Sequence, residues 1–374
     1  MHRGEGCRRV LMTADAVGGV WDYALQLAEG LGTCGVEVTL ATMGPLPRDD
    51  QRAAAREVPG LRLVESDYRL EWAEHPWDDV ARAGSWLLEL EAQAQPDIVH
   101  LNGYAHGALA WSAPAVVVAH SCVCSWWSAV RGAEAPEEWA AYRRAVREGL
   151  GAATAVVAPS AAMLHALSAH YGFVSGTVVP NGRDAAQFLT GPKEPLVLSA
   201  GRLWDEAKNV AALAAIAHGL PWPVALAGET QNAPGEPVPD GSVEHLGRLS
   251  SADLRGWMGR ASIYVMPARY EPFGLSILEA GLSGCALVLG DIPSLREHWD
   301  GAAAFVAPDD REALRRAIES LIDSPARRSE LGRRARERGQ EFTVGRMADA
   351  YRRLYEGLLC PSDGHALEVS SCAS

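Results

Sequence analysis

Two glutamates, Glu271 and Glu279, stand eight residues apart in the mostly apolar stretch EPFGLSILEA. Leu275, Leu278 and Leu282 recur at helical spacing, so the residues after Phe273 predict a helix with an inward leucine stripe. Glu279 falls at the edge of that stripe. A carboxylate held there needs a partner, and a pair of ligand hydroxyls or a nearby arginine would serve. Upstream, GRLWDEAKN (201–209) places Arg202 and Lys208 just past the end of a strand. A guanidinium fork and an ammonium point charge at such a position suit a diphosphate. The alternative is surface pairing with Asp205 and Glu206. Gly18 and Gly19 lie between the first strand and the first helix, where N–H groups are unpaired and carry positive partial charge. Glycine there lets a phosphate or a sugar approach the backbone, although a tight turn without a ligand has the same sequence.

These residues need a scaffold of strands and helices to bring them together. Short apolar strands are expected at RRVLMTA (8–14), VEVTLAT (36–42), PDIVHLN (96–102), AVVVAH (115–120), TAVVAPS (154–160) and GTVVPN (176–181), with helices such as 136–150 and 160–171 between them. FLTGPKEP (188–195) reads as a linker, and the pattern then restarts with PLVLSAGR, WPVALAG, SVEHLG, SIYVMPA and CALVLGD. Continuous apolar strands alternating with helices predict parallel sheets covered on both faces. The fold class is therefore α/β, with two Rossmann-like doubly wound domains facing across a cleft. Ligands in such sheets sit beyond the carboxyl ends of the strands. GLGTCG (30–35) spells a dinucleotide fingerprint, but it closes a helix instead of opening one. Its glycines read as cap and turn residues.

The composition narrows the classes. The chain has 374 residues, 48% hydrophobic and 22% charged, with a net charge of -13. That balance argues against a nucleic-acid partner, which would call for a basic field. No apolar run is long enough to span a bilayer, and the N-terminus has no apolar signal region, so a cytoplasmic location is expected. Seven cysteines without regular spacing, including the C-x-C of Cys122 and Cys124, read as reduced thiols.

The E-x7-E spacing, the G-R…K-N segment and the Gly-Gly loop together resemble the GT-B glycosyltransferases of family 4 over about residues 8 to 358. VVPNGRD (178–184) and VEHLGRLSSADL (243–254) add to the likeness. The resemblance implies an acceptor-side domain over 1–187 and a nucleotide-sugar-binding domain over 188–345. A helix at 346–360 would return to the first domain, and the tail 361–374 lacks a core pattern and is expected to be disordered. It implies that Glu279 takes the ribose hydroxyls and that Glu271 faces the donor sugar. Phe273 and Gly274 would supply backbone N–H groups, with Leu275 beside them. Arg202 and Lys208 would clamp the diphosphate, Gly18 and Gly19 would lie against phosphate and sugar, and His120 would sit near donor sugar and acceptor. Leu246 to Arg248 would meet the base through the backbone. The implied reaction moves a sugar from a UDP- or GDP-sugar to a carbohydrate, lipid-linked or small-molecule hydroxyl, with retention, without a metal and without a cofactor. No two aspartates stand two apart in a D-x-D, in keeping with a metal-free reaction.

The sequence departs from the family where Ser121 replaces an aspartate common after the histidine, and where Ala286 replaces a proline. A sugar-nucleotide epimerase, a phosphorylase of the same fold and a catalytically silent sugar-nucleotide binder remain the alternatives. His100 and His106 read as satisfied structural histidines. Of the tryptophans, Trp126 or Trp127 is the expected sugar platform. The Arg-rich stretch 311–339 reads as a solvated amphipathic helix pair, with weak peripheral contact to an anionic membrane as the minor reading.

Overall fold

The structure is a computed structural model that describes residues 6–172, 175–229 and 243–360. The tail expected at 361–374 and Ser242 at the head of an expected strand lie outside the described residues. Two sheets are present. The first has the strand order β3-β2-β1-β4-β5-β6-β7, from β1 (Arg9–Asp15), β2 (Glu37–Met43), β3 (Leu61–Glu65), β4 (Ile98–Leu101), β5 (Ala115–Val118), β6 (Ala155–Ala158) and β7 (Thr177–Val178). The second has the order β10-β9-β8-β11-β12-β13, from β8 (Glu194–Ala200), β9 (Val224–Ala227), β10 (Glu244–Gly247), β11 (Ala261–Met266), β12 (Ala286–Gly290) and β13 (Ala303–Val306). Neighbouring strands run parallel, for example β1 with β2 and β4, and β11 with β8 and β12.

The chain divides into two compact units. One comprises residues 1–117, 149–155 and 348–374, the other 118–148 and 156–347. In the second unit, β11 and β12 are buried along their whole length. Their alternate residues feed two cores, one on each face of the sheet. Leu198, Tyr264, Leu287 and Trp299 belong to one, and Val197, Ile263, Val288 and Ile318 to the other. Period-two alternation with both faces apolar is what a covered parallel sheet requires. In the first unit, Leu11, Ala41, Leu87 and Leu90 form a core between β1, β2 and the helix Trp77–Ala94.

Both sheets contain a reversal of strand order. In the first, the chain winds outward from β1 to β3 and then restarts on the other side of β1 with β4. In the second, it winds from β8 to β10 and restarts beside β8 with β11. At such a reversal, the loops leaving the two central strands diverge and open a crevice at their carboxyl ends.

Candidate active site

The crevice of the second sheet is built from the loop after β8 and the loop after β11. Backbone and side-chain bonds hold the two loops together. Arg269 N–H donates to the Ala207 carbonyl at 2.8 Å. Asn209, in the left-handed region at φ 54, donates its amide to the Pro267 and Pro308 carbonyls at 2.9 and 2.7 Å. The first loop carries Arg202 and Lys208, and the second carries Glu271. The helix Leu275–Leu282, which carries Glu279, follows directly. The structure thus brings Arg202, Lys208, Glu271, Phe273 and Gly274 onto adjoining loops of one unit, with Leu275 and Glu279 on the helix that follows.

The charged residues are paired. Lys208 Nζ contacts Glu271 Oε2, and both side chains are largely buried. The other oxygen of Glu271 accepts the Phe273 N–H at 3.3 Å. Arg202 Nη2 meets Asp205 Oδ2 at 2.9 Å, while Asp205 Oδ1 accepts the Ala207 N–H at 3.0 Å. The surface pairing weighed for Arg202 is therefore present, although Asp205 itself is buried. Glu279 Oε1 accepts from Arg183 Nε at 2.8 Å, with side-chain exposures of 17% and 7%. This is the arginine partner that the apolar setting of Glu279 called for. Both glutamates also act on Tyr264, whose hydroxyl donates to the Ala200 carbonyl at 3.0 Å and lies 2.9 Å from Ser276 Oγ, from which it can accept. Burial first, then the Glu279 and Glu271 charges, push that hydroxyl well above the usual tyrosine range.

The backbone around Glu271 is held from several sides. Ser294 Oγ donates to the Glu271 carbonyl at 2.6 Å, and Ser160 Oγ donates to the Pro272 carbonyl at 2.9 Å. Phe273 buries its ring against His298 and Phe342, with centroids 5.0 and 5.7 Å away. Gly274 precedes the helix at φ 89. Leu275 packs partly buried on the sheet core, as does Leu246 in β10. Arg248 is exposed and reaches Glu229 at 3.4 Å.

His120 lies two residues past β5, in the second unit. Desolvation of its imidazole pushes the pKa down to about 3, so the ring is neutral at pH 7. Its segment reaches the Glu271 loop through Cys122, whose N–H donates to the Tyr270 hydroxyl at 3.0 Å. Trp126 donates its indole N–H to Asp205 Oδ1 at 3.4 Å, and so helps position the partner of Arg202. Gly18 caps the helix Gly19–Gly32 after β1, in the first unit, and a Cβ there would meet nothing within 4 Å.

Sequence reasoning did not single out Arg183, Asp205 as a buried anchor, Asn209 or Tyr270. Arg183 sits inside the quoted VVPNGRD, but its partner lies 96 residues away, a separation at which no local pattern gives pairing. Asn209 had a usable signal, because asparagine before a helix tolerates the left-handed region. His100 and His106 each have a partner within the fold. His100 Nδ1 is 2.6 Å from the Tyr355 hydroxyl, and His106 Nε2 is 3.0 Å from the Val80 carbonyl. The described cysteines form no disulfide. Among the described residues, no cluster of three acidic, His or Cys side chains is placed to hold a metal ion, and no helix is long and apolar enough to cross a membrane.

Comparison with known proteins gives the family. The model for Glycosyltransferase Family 4 matches residues 17–187, and the model for Glycosyl transferases group 1 matches residues 194–324. A glycogen synthase of Mycobacterium tuberculosis (strain CDC 1551 / Oshkosh) is 28% identical over 370 residues, covering 86% of each chain. Sucrose-phosphate synthase from Thermosynechococcus elongatus superposes with a TM-score of 0.79 at 20% identity, over 95% of this chain and all of that one. Anabaena Alr3699/HepE, solved in complex with UDP and glucose, gives 0.72 at 17% identity, over 93% and 99%. At such identities, the two superpositions show the fold alone. Taken with the family matches over both halves of the chain, they place this protein among the GT-B glycosyltransferases of family 4, group 1.

Proposed function

We propose that this glycosyltransferase draws its sugar from a nucleotide-sugar donor seated at the β8/β11 reversal of the second sheet. The observation that carries the proposal is the convergence there of Arg202, Lys208, Glu271 and Glu279 beside the start of the helix Leu275–Leu282. The N-terminus of a helix favours an anion, and two cations stand on the adjoining loop. In the structure those cations are held by Asp205 and Glu271. On binding, a diphosphate would compete for both, Arg202 as a fork and Lys208 as a point charge. Charge that develops on the departing diphosphate is then stabilised without a metal.

On this reading, Glu279 receives the ribose hydroxyls while keeping its arginine, since one carboxylate offers about four acceptor sites. Glu271 faces the donor sugar. Its two oxygens are already engaged by Lys208 and the Phe273 N–H, which suits an orienting carboxylate better than a nucleophile. We therefore favour retention by reaction on one face, with the leaving phosphate assisting deprotonation of the acceptor. His120, neutral at pH 7, serves as a hydrogen-bonding partner near the reacting sugar. UDP and GDP are the favoured donor nucleotides. The HepE structure with UDP and glucose supports the plausibility of that ligand class on this fold.

The test is a thermal-shift panel with UDP, GDP, ADP and TDP, then the corresponding sugars, each with and without EDTA. A nucleotide at ~100 times its Kd adds about 2.7 kcal/mol of stability. One nucleotide is expected to give a selective shift that EDTA leaves unchanged, and Lys208→Ala to abolish it. No shift with any nucleotide would sink the donor assignment, and a shift lost with EDTA would sink the metal-free mechanism.

A further inference from the structure

The C-x-C of Cys122 and Cys124 takes no part in the chemistry proposed above. Cys122 stands immediately before the helix Val123–Arg131, and Cys124 is the second residue of that helix, both within the second unit. We infer that the two form a dithiol site that hydrogen peroxide closes to a disulfide, with Cys124 attacking and Cys122 resolving. The inference does not depend on the donor assignment.

A bridge is within geometric reach. Residues two apart at a helix start have Cα atoms about 5.5 Å apart, inside the ~4.4–6.8 Å that a disulfide spans. The backbone beneath the two thiols is held by tyrosines. Cys122 N–H donates to the Tyr270 hydroxyl at 3.0 Å, and Val123 N–H donates to the Tyr142 hydroxyl at 3.4 Å. These bonds use main-chain groups, so a rotation about χ1 of either cysteine leaves them in place. A third tyrosine meets the sulfur itself, with the Tyr171 hydroxyl 2.9 Å from Cys122 Sγ. Both cysteines are nearly closed to solvent, at 2% and 3% exposure. A bulky thiol reagent is kept out of such a site, whereas peroxide is only slightly larger than water.

The two sulfurs are set to different roles. Burial pushes the Cys122 thiol well above its usual range. The Cys124 thiol is pulled down, first by its contact with Cys122, then by Tyr171 and the Arg143 and Arg147 charges, against the upward push of burial. One sulfur of the pair therefore carries thiolate character, and the thiolate is the nucleophile. Cys7 and Cys285 supply the contrast, because they are buried too and burial prevails, raising both thiols. In the reaction, the Cys124 thiolate attacks one peroxide oxygen and breaks the O–O bond. The products are a Cys124 sulfenic acid and hydroxide, which takes the proton that Cys124 gave up and becomes water. Cys122 sulfur then attacks the sulfenic sulfur, and its proton leaves with the sulfenic hydroxyl as a second water. The two thiols lose two electrons and the peroxide gains them. Closing the bridge turns Cys122 Sγ away from Tyr171 and fixes the start of the helix whose Trp126 and Arg131 reach Asp205 and Glu206. Oxidation at this site thus bears on the loop that carries Arg202.

The test uses the intact chain, reduced and then treated with hydrogen peroxide, after which remaining thiols are capped with N-ethylmaleimide in denaturant. Trypsin releases residues 83–131 as one peptide, which contains these two cysteines and no other. Mass spectrometry is expected to show that peptide lighter by two hydrogens and without either maleimide addition, and dithiothreitol is expected to restore both additions. In Cys122→Ser, dimedone is expected to trap a sulfenic acid at Cys124. In Cys124→Ser, Cys122 is expected to keep its thiol. A peptide that retains both thiols while the exposed Cys34 is consumed, one that is cross-linked to Cys34 or Cys360, or one that carries only added oxygen overturns the inference. Dimedone on Cys122 in Cys124→Ser, with none on Cys124 in Cys122→Ser, overturns the order of attack. The wild-type peptide answers the main question by itself, so a variant that fails to fold leaves the test standing.

Discussion

At the scale of single residues, the pairing of Glu279 with Arg183 changes how the site must be probed. The need for a partner was legible in the sequence, because a carboxylate at the edge of a leucine stripe cannot stay unpaired. The partner's identity was not, since 96 residues separate the two. Glu279→Ala removes a proposed ribose contact and also takes a carboxylate from a buried guanidinium, so lost turnover alone would not distinguish the two effects. Removing one partner of a buried pair typically costs about 3–5 kcal/mol. We predict that Arg183→Ala and Glu279→Ala each destabilise the chain by about 3 kcal/mol, and that the double variant costs clearly less than the sum. Urea unfolding of the four proteins gives the coupling energy. Additive losses would mean that the pair contributes no coupling, and Glu279 could then be read as a ligand residue only. Lys208 and Glu271 call for the same control, because each is the other's counter-ion.

At the scale of elements, the sequence located the strands that carry the site, and the gaps have a physical cause. β8, β11 and β12 stand within two residues of the apolar runs that announced them, because a strand buried on both faces leaves a continuous run. β3 and the helices Asp49–Arg56 and Trp77–Ala94 were not separately legible. β3 is only half-buried, and Ala83, Leu87 and Leu90 are the sparse inward face of a polar helix. The Arg-rich stretch does form two helices, Arg311–Asp323 and Pro325–Gly339. Arg315 pairs with Glu312 and Glu319, and Arg333 with Glu330 and Glu337, along the same helices. Pairs one turn apart on a solvated face contribute little to stability and leave less positive field for a membrane. The turn that sets the two glutamates apart rests on Gly274. At φ 89 an alanine is strained by roughly 1–2 kcal/mol, and its Cβ would come 2.6 Å from Cδ1 and 3.1 Å from Cγ1 of Ile277, a side chain fully buried in the core. Gly274→Ala is predicted to cost about 2 kcal/mol and to weaken nucleotide binding at least tenfold, because the helix start would move relative to Lys208. Calorimetric titration of the nucleotide found by thermal shift is the check, and an unchanged Kd would show that the turn does not set the site.

At the scale of the whole molecule, desolvated imidazoles set how stability responds to acid. Desolvation pushes the pKa of His106 and His298 down, and that of His120 to about 3. In the unfolded chain each returns to about 6.5. Above that value neither state binds the proton, and these groups leave stability independent of pH. As pH falls below 6.5, the unfolded chain takes up protons that the folded chain refuses, so stability falls, by up to about 1.4 kcal/mol per pH unit for each fully excluded group. For His120 the fall continues toward its folded pKa near 3. Net charge acts in the opposite direction. At -13 the chain repels itself, and acid relieves that repulsion by moving the charge toward zero. The two effects separate in salt, because about 0.3 M screens exposed charges but not desolvated rings. We therefore predict that, at that salt concentration, Tm is level from pH 8 to 7 and drops steadily from pH 6.5 to 5, and that His298→Phe makes the drop shallower. A level Tm down to pH 5 would mean that the rings take up protons in the folded state. His120 would then no longer be a neutral hydrogen-bonding group, and its role beside the donor sugar would have to be recast as that of an acid.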